Sequence, residues 1–287
     1  MTNAPLPAGP VTRRAPEGAC DAHVHMLAAP EEHPLWEGRV EDPVPGWGFD
    51  RYLAAYCAQC DALGIARTVV VQSILYGADN TVTARAVEAL GRERARGIGL
   101  VTDDATDREL DLLVRQGLAG IRLNTVHGGV LSWAGVEAMA PRLAERGLHV
   151  QMLTRADTHL VDLAPRIRLL GVPVVLDHFA WPDLGAGVDE PGFAALRALL
   201  AEGRVWVKLS APYRRADAPY DATDAHVRAL LDANPERCLW GSDWPHIMLA
   251  DAERPRAGAL LDALARVTDE AEWVAVLRDN PAALYGF

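Results

Sequence analysis

Short runs of β-branched and apolar residues alternate with amphipathic segments along almost the whole chain, and this rhythm restricts the fold more than any other feature. The runs that read as strands are Cys20–His25, Thr68–Ile74, Gly97–Thr102, Ala119–Asn124, Leu148–Leu153, Pro173–His178, Val205–Ser210 and Cys238–Asp243. Each is nearly continuous in apolar residues, as parallel strands covered on both faces require. Between them, apolar positions recur with helical spacing and predict helices over Asp50–Leu63, Asn80–Arg96, Asp107–Gln116, Gly135–Arg146, Phe193–Glu202 and Ala222–Asn234. Gly64, Gly97, Gly117, Gly147 and Gly203 stand where a left-handed cap closes a helix. Repeated strand–helix units in 287 residues predict an α/β fold, a single (β/α)8 barrel. An open doubly wound sheet is the alternative, but no GxGxxG turn follows the first strand. The expected organisation is a flexible lead-in over 1–18 and a barrel over 19–287. A long Pro- and Gly-containing loop from Leu27 to Gly48 is expected to overhang the active face, in the position of a lid.

The net charge of −11, with both signs mixed along the chain, provides no basic run or face for nucleic acid. It leaves room for a locally cationic pocket that holds an anionic small molecule. No apolar stretch approaches the roughly 18–20 residues that span a bilayer, and the start of the chain through Arg13-Arg14-Ala15-Pro16 lacks an apolar leader core. Cys20, Cys57, Cys60 and Cys238 do not make a disulfide framework in a chain of this length. Cys57 and Cys60 have CxxC spacing, but they lie inside an amphipathic pattern without a second pair. They read as helix packing rather than a zinc or redox site. The expectation is a cytoplasmic protein with a small-molecule substrate and neither nucleic-acid nor membrane partners. A homo-oligomer is left open, with the Trp36–Trp47 region serving a dimer or a lid.

Barrel enzymes draw their catalytic groups from the carboxyl ends of the strands. Here those ends read His23/His25, Ser73, Thr102, Arg122/Asn124, Gln151, His178, Lys208/Ser210 and Asp243. A buried apolar strand gains nothing from ending so regularly in polar groups. His23 and His25 are one residue apart, so strand alternation sends both to the same side, where paired imidazoles bind a metal or polarise a carbonyl. Each residue alone has a bland reading: a surface HxH, a satisfied core histidine at 178, a helix cap at Asp243 ahead of Pro245. Together they make a centre for hydrolysis at a carbonyl. Asp243 takes a proton from water while His23, His25 and His178 stabilise the oxyanion. His246 either reaches this centre or stabilises the turn after Asp243, and His33, His149, His159 and His226 read as loop or surface residues.

Six segments carry a resemblance: Asp21-Ala22-His23-Val24-His25, Tyr76-Gly77-Ala78-Asp79-Asn80, Gly120-Ile121-Arg122-Leu123-Asn124, Leu176-Asp177-His178, Trp240-Gly241-Ser242-Asp243-Trp244-Pro245-His246 and Asn280-Pro281-Ala282-Ala283-Leu284-Tyr285-Gly286-Phe287. In this order they resemble the amidohydrolase superfamily, and within it the amidohydrolase-2-type family that includes 2-pyrone-4,6-dicarboxylate lactonases. The resemblance implies the barrel, and a hydrolase of aromatic catabolism that opens a carboxylated lactone. It places His23, His25, His178 and Asp243 at the reaction centre. Arg122, Asn124, Ser73, Tyr76 and Gln151 are the candidate substrate-holding residues, with Tyr213-Arg214 as a second anion clamp or, for Arg214, a solvated loop.

The departures are informative. Binuclear members of the superfamily place a bridging Lys on strand four and a His on strand five, where this chain has Arg122/Asn124 and Gln151. A two-metal site is therefore not expected. The lactonase branch implies a reaction without cofactor, and a strand-four arginine suits a substrate carboxylate held in two-pronged fashion. One Zn²⁺ on His23, His25, His178 and Asp243 is the alternative. Beyond Arg122 the chain offers only His127 where dicarboxylate lactonases carry a further basic residue. Arg155 stands near where they carry a tyrosine. A related carboxylated lactone or a sugar-acid lactone is equally compatible. The rival readings are a mononuclear zinc-dependent hydrolase or decarboxylase, and a non-catalytic binding barrel that the intact four-residue set argues against.

Overall fold

The computed structural model describes residues 4–39, 42–249 and 254–287. Its strands are Ala19–Val24 (β1), Ile65–Val71 (β2), Ala95–Gly99 (β3), Leu118–Asn124 (β4), His149–Leu153 (β5), Val174–Leu176 (β6), Val205–Ser210 (β7) and Cys238–Gly241 (β8). They pair in parallel in chain order, which is the (β/α)8 barrel. The intervening helices are Phe49–Leu63 (α1), Thr81–Leu90 (α2), Asp107–Arg115 (α3), Trp133–Glu145 (α4), Val161–Leu169 (α5), Pro191–Ala201 (α6) and Asp224–Ala233 (α7). Ala257–Val267 (α8), Glu270–Val274 (α9) and Asn280–Tyr285 (α10) follow β8. The helix predicted over Asn80–Arg96 ends at Leu90, because Gly91 (φ 90°) breaks it and Ala95 already belongs to β3.

The outer faces of the strands, among them Ile121, Leu123, Val150, Met152, Val174, Leu176, Val205 and Val207, belong to the main apolar core with the helices. The inner faces split into two levels. Val69, Val71, Ile98, Val175, Trp206 and Leu239 form an apolar floor with Cys20, Ala22 and Tyr285. One alternation further along, Arg122, Gln151, Asp177, Lys208 and Ser210 turn inward and are all buried. On β1 the register slips between Asp21 and Val24. This slip keeps Ala22 in the floor while His23 enters the polar level above it.

The seam between β1 and β8 closes at the carboxyl ends. The His25 N–H donates to Trp244 O at 2.7 Å and the Asp243 N–H to His23 O at 2.9 Å. A Cβ on Gly241 would sit 2.5 Å from the His23 Cβ, so only glycine lets the strands meet here. Behind the seam, Asp21 accepts from the Ser242 N–H at 2.8 Å and the Ser242 hydroxyl at 2.5 Å.

The lead-in and the long loop after β1 both hydrogen-bond to the barrel. In the lead-in, Thr12 bonds the Asp262 carboxylate through N–H and hydroxyl at 2.7 Å, and the Gly258 N–H donates to Ala8 O at 2.7 Å. In the loop over 27–48, the Trp36 N–H donates to Leu75 O at 2.8 Å and the Phe49 N–H to Glu32 Oε2 at 2.7 Å. Residues 1–3 of the first segment and 40–41 of the second lie outside the described residues. Cys57 and Cys60 are free thiols on α1. No described helix is long and apolar enough to cross a membrane.

Candidate active site

His23, His25, His178 and Asp243 converge at the carboxyl end of the barrel, all buried. The Nε2 atoms of His23 and His25 are 3.3 Å apart, and Asp243 Oδ1 lies 3.6 Å from His23 Nε2, 3.4 Å from His25 Nε2 and 3.8 Å from His178 Nε2. Each ring is fixed from behind through Nδ1. His25 donates to Val71 O at 2.8 Å, His178 bonds the Ser210 hydroxyl at 2.8 Å, and His23 faces Asp177 Oδ1 at 3.2 Å. A carbonyl only accepts, so His25 carries its proton on Nδ1 and aims an Nε2 lone pair inward, whereas His23 Nδ1 has both the Asp177 carboxylate at 3.2 Å and the Lys208 ammonium at 3.3 Å beside it. Electron-rich atoms packed this closely repel one another unless a cation, a proton or a metal ion, sits among them.

Burial pushes the Asp243 carboxyl up, but His178, His25 and His23 facing it outweigh this and hold it well below the usual carboxylate range. Burial pushes His178 down to about 4 despite the Asp243 carboxylate. Burial likewise holds His23 well below its ordinary value. Asp243 is thus the ionised group of the cluster. Its other oxygen accepts from the Tyr213 hydroxyl at 2.5 Å. Arg214 lies 3.9 Å from that oxygen and donates to Ile247 O at 2.6 Å.

The backbone is bent to make this convergence. Alternation on β6 turns Val175 and Asp177 inward, so His178 by itself would face the helices. Left-handed dihedrals at His178, Phe179, Ala180 and Trp181 (φ 52°, 40°, 55° and 40°) swing the imidazole back to the centre. Such conformations cost about 1–2 kcal/mol per non-glycine residue and concentrate where function requires them. Asp243 is also left-handed, with φ 58°.

Below the cluster lies a polar bed that sequence reasoning missed. Asp177 Oδ2 accepts from Arg122 Nε at 3.3 Å, Arg122 Nη2 at 3.2 Å and Gln151 Nε2 at 3.2 Å. Lys208 Nζ donates to Gln151 Oε1 at 2.7 Å. The signal for Asp177 was its parity: strand alternation points it, rather than His178, into the barrel.

This bed changes the reading of several expected substrate-holding residues. Arg122 spends two of its nitrogens on Asp177, so it is an internal cation before it is an open clamp. Its outer edge lines a narrow recess with Trp36, Ile74, Leu100 and Asn124. Gln151 is consumed by Asp177 and Lys208. The Ser73 hydroxyl accepts from the Leu75 N–H at 3.3 Å and caps the turn after β2, and the Tyr76 hydroxyl is bonded to the Ala28 backbone at 2.7 Å. Asn124 Oδ1 accepts from the Val126 and His127 N–H groups at 3.0 and 2.9 Å. Arg155 forms a two-pronged pair with Asp157 at 3.1 and 2.7 Å. His246 packs edge-on against Tyr213 with ring centroids 5.5 Å apart and donates from Nε2 to Ser242 O at 3.1 Å. His149 and His226, expected at the surface, are buried, because alternation on β5 faces His149 into the barrel and α7 turns His226 against Phe193.

Zn²⁺ bound tetrahedrally at about 2.0–2.2 Å sets its ligand atoms about 3.3–3.6 Å apart, close to the spacings in the cluster. His23, His178 and Asp243 form the candidate metal-holding group among the described residues.

The amidohydrolase family profile matches residues 20–287. A 4-sulfomuconolactone hydrolase of Rhizobium radiobacter is 35% identical, covering 96% of this chain and 93% of the relative. A 2-pyrone-4,6-dicarboxylate hydrolase of Comamonas testosteroni is 34% identical over 95% of this chain and 91% of the relative. A crystal structure of an Agrobacterium tumefaciens protein superposes with a TM-score of 0.83 at 27% identity, covering 96% of this chain and 95% of that one.

Proposed function

The chain belongs to the amidohydrolase family, and from that premise we propose that it is an enzyme that opens an anionic lactone by attack of water. The observation that carries this reading is one ionised carboxylate, Asp243, facing three imidazole Nε2 atoms at 3.4–3.8 Å in a buried centre. Asp243 takes the proton of water as the oxygen attacks the ring carbonyl, and returns it to the ring oxygen that leaves. The Tyr213 hydroxyl holds the carboxylate in place during the transfer. His23, His25 and His178 would hold, beside the developing oxyanion, the one cation that stabilises it, and burial removes the water that would screen it.

The centre requires one positive charge. A single Zn²⁺ held by His23, His25, His178 and Asp243 would polarise the carbonyl and acidify the water. A proton shared between His23 Nε2 and His25 Nε2, 3.3 Å apart, meets the same need in a metal-free enzyme. The anionic substituent is met at the mouth. His127 lies close enough to Arg214 and Arg122 for both cations to push its basicity down, after burial. A carboxylate or sulfonate placed there offsets that crowding of positive charge.

The test is a panel of monocarboxylated, dicarboxylated, sulfonated, sugar-derived and neutral lactones, assayed with and without chelator beside elemental metal analysis. Ring opening of an anionic member, with neutral lactones untouched, is expected. Protein that opens none of them, with or without added Zn²⁺, contradicts the reading, and release of carbon dioxide points to the decarboxylase instead.

A further inference from the structure

The proposed reaction makes no use of the charges beneath it, yet two of them are as fully buried as any reacting group. Lys208 and Asp177 are 0% exposed. Lys208 Nζ stands 3.4 Å from Asp177 Oδ1 and 3.3 Å from His23 Nδ1, in addition to its bond to Gln151. Both side chains meet the reaction centre only from behind, at His23 Nδ1. Buried ion pairs of this kind are poor devices for stability, since apolar residues of similar volume serve a fold as well or better. The floor just below, with Val175 and Trp206 on the same two strands, is apolar. The polar residues therefore answer a need other than packing.

What they do is fix one imidazole. Asp177 Oδ2 is held by Arg122 and Gln151, which leaves Oδ1 directed at His23 Nδ1 at 3.2 Å. Lys208 bonds Gln151 and flanks Oδ1, so the carboxylate cannot rotate without breaking contacts on both sides. A proton on His23 Nε2 instead of Nδ1 would direct an N–H at His25 Nε2 and take an acceptor away from the centre. We propose that Asp177 and Lys208 are positioning residues: Asp177 sets the Nδ1–H tautomer and the ring orientation of His23, and Lys208, through Gln151, aims Asp177. This rests on the reading of His23 as part of the reaction centre.

Two substitutions test it. In Asp177→Asn, Arg122 and Gln151 retain the amide oxygen and turn the NH₂ group toward His23 Nδ1, which must then accept. The expected result is a fall in kcat of roughly 10²- to 10⁴-fold, as when a histidine is left in the wrong tautomer, with KM changed by less than about threefold. Lys208→Met keeps the volume and removes the charge, and is expected to cost roughly 10- to 100-fold in kcat. The readout independent of turnover is long-range proton–nitrogen NMR of nitrogen-labelled histidine, on protein as purified and after chelator treatment. His23 should be the Nδ1–H tautomer in the parent and the Nε2–H tautomer in Asp177→Asn, with Lys208→Met a mixture. Unchanged tautomer in folded variants overturns the inference, as does a loss expressed wholly in KM. If no lactone is turned over at all, the functional reading fails, while the tautomer shift still decides the role of Asp177.

Discussion

The floor and the upper level of the barrel interior come from the same strands and the same alternation, yet they are built of opposite materials. On β6 the inward pair is Val175 then Asp177. On β7 it is Trp206 then Lys208. On β8, Leu239 gives way, two steps later through Gly241, to Asp243. The floor is closed and apolar, each large side chain contributing about 1.5–3 kcal/mol through burial. The upper level is strained, charged and held by hydrogen bonds from behind, with electron pairs converging on its open side. The contrast teaches that stability and chemistry are separated along the barrel axis, so a substitution's height in the barrel predicts which property it damages.

The largest effect should come at the top. Asp243→Asn removes the ionised oxygen without changing shape, and is expected to lower kcat roughly 10³- to 10⁴-fold while the thermal midpoint stays within a few degrees. Steady-state kinetics beside thermal unfolding measure both, and a variant that keeps its activity would erase the division. In the floor the signs reverse. Leu239→Ala leaves a cavity and should cost about 2–5 kcal/mol in denaturant unfolding, with kcat within about threefold of the parent. A large kcat loss there would mean that the two levels are mechanically coupled.

The smallest effect comes from a histidine inside the barrel on β5. Burial, with the Lys208 cation near, pushes His149 down to about 3. The unfolded chain takes up this proton near pH 6.5, so the unfolded state binds more protons across the interval between. The contribution is present in full above about pH 6.5 and is lost as pH falls toward about 3. His149→Gln should therefore reduce the loss of stability between about pH 7 and about pH 5 by about 2 kcal/mol, read from denaturant unfolding at the two pH values. An unchanged slope would place the acid sensitivity elsewhere.

Much of this division is written in the chain. Near-continuous apolar runs and closing glycines make the barrel legible, because a parallel strand and a left-handed cap each demand a narrow set of residues. His23, His25, His178 and Asp243 stand out because ionisable groups end apolar strands. What escapes is whatever depends on partners. Asp177 and Lys208 look the same in sequence whether they meet each other or water. Tyr76 follows a strand end, but nothing local reveals that its hydroxyl bonds the Ala28 backbone of the loop after β1. The left-handed turn over His178–Trp181 contains no glycine, so no residue announces it, and the slip in β1 alters parity without altering composition.

Turnover of an anionic lactone in water labelled with heavy oxygen tests the central claim most directly. The account predicts one labelled oxygen in the new carboxylate for each ring opened by the parent protein, and essentially no turnover by Asp243→Asn. A ring that rearranges without taking up label, or a labelled product formed equally well without Asp243, would contradict it.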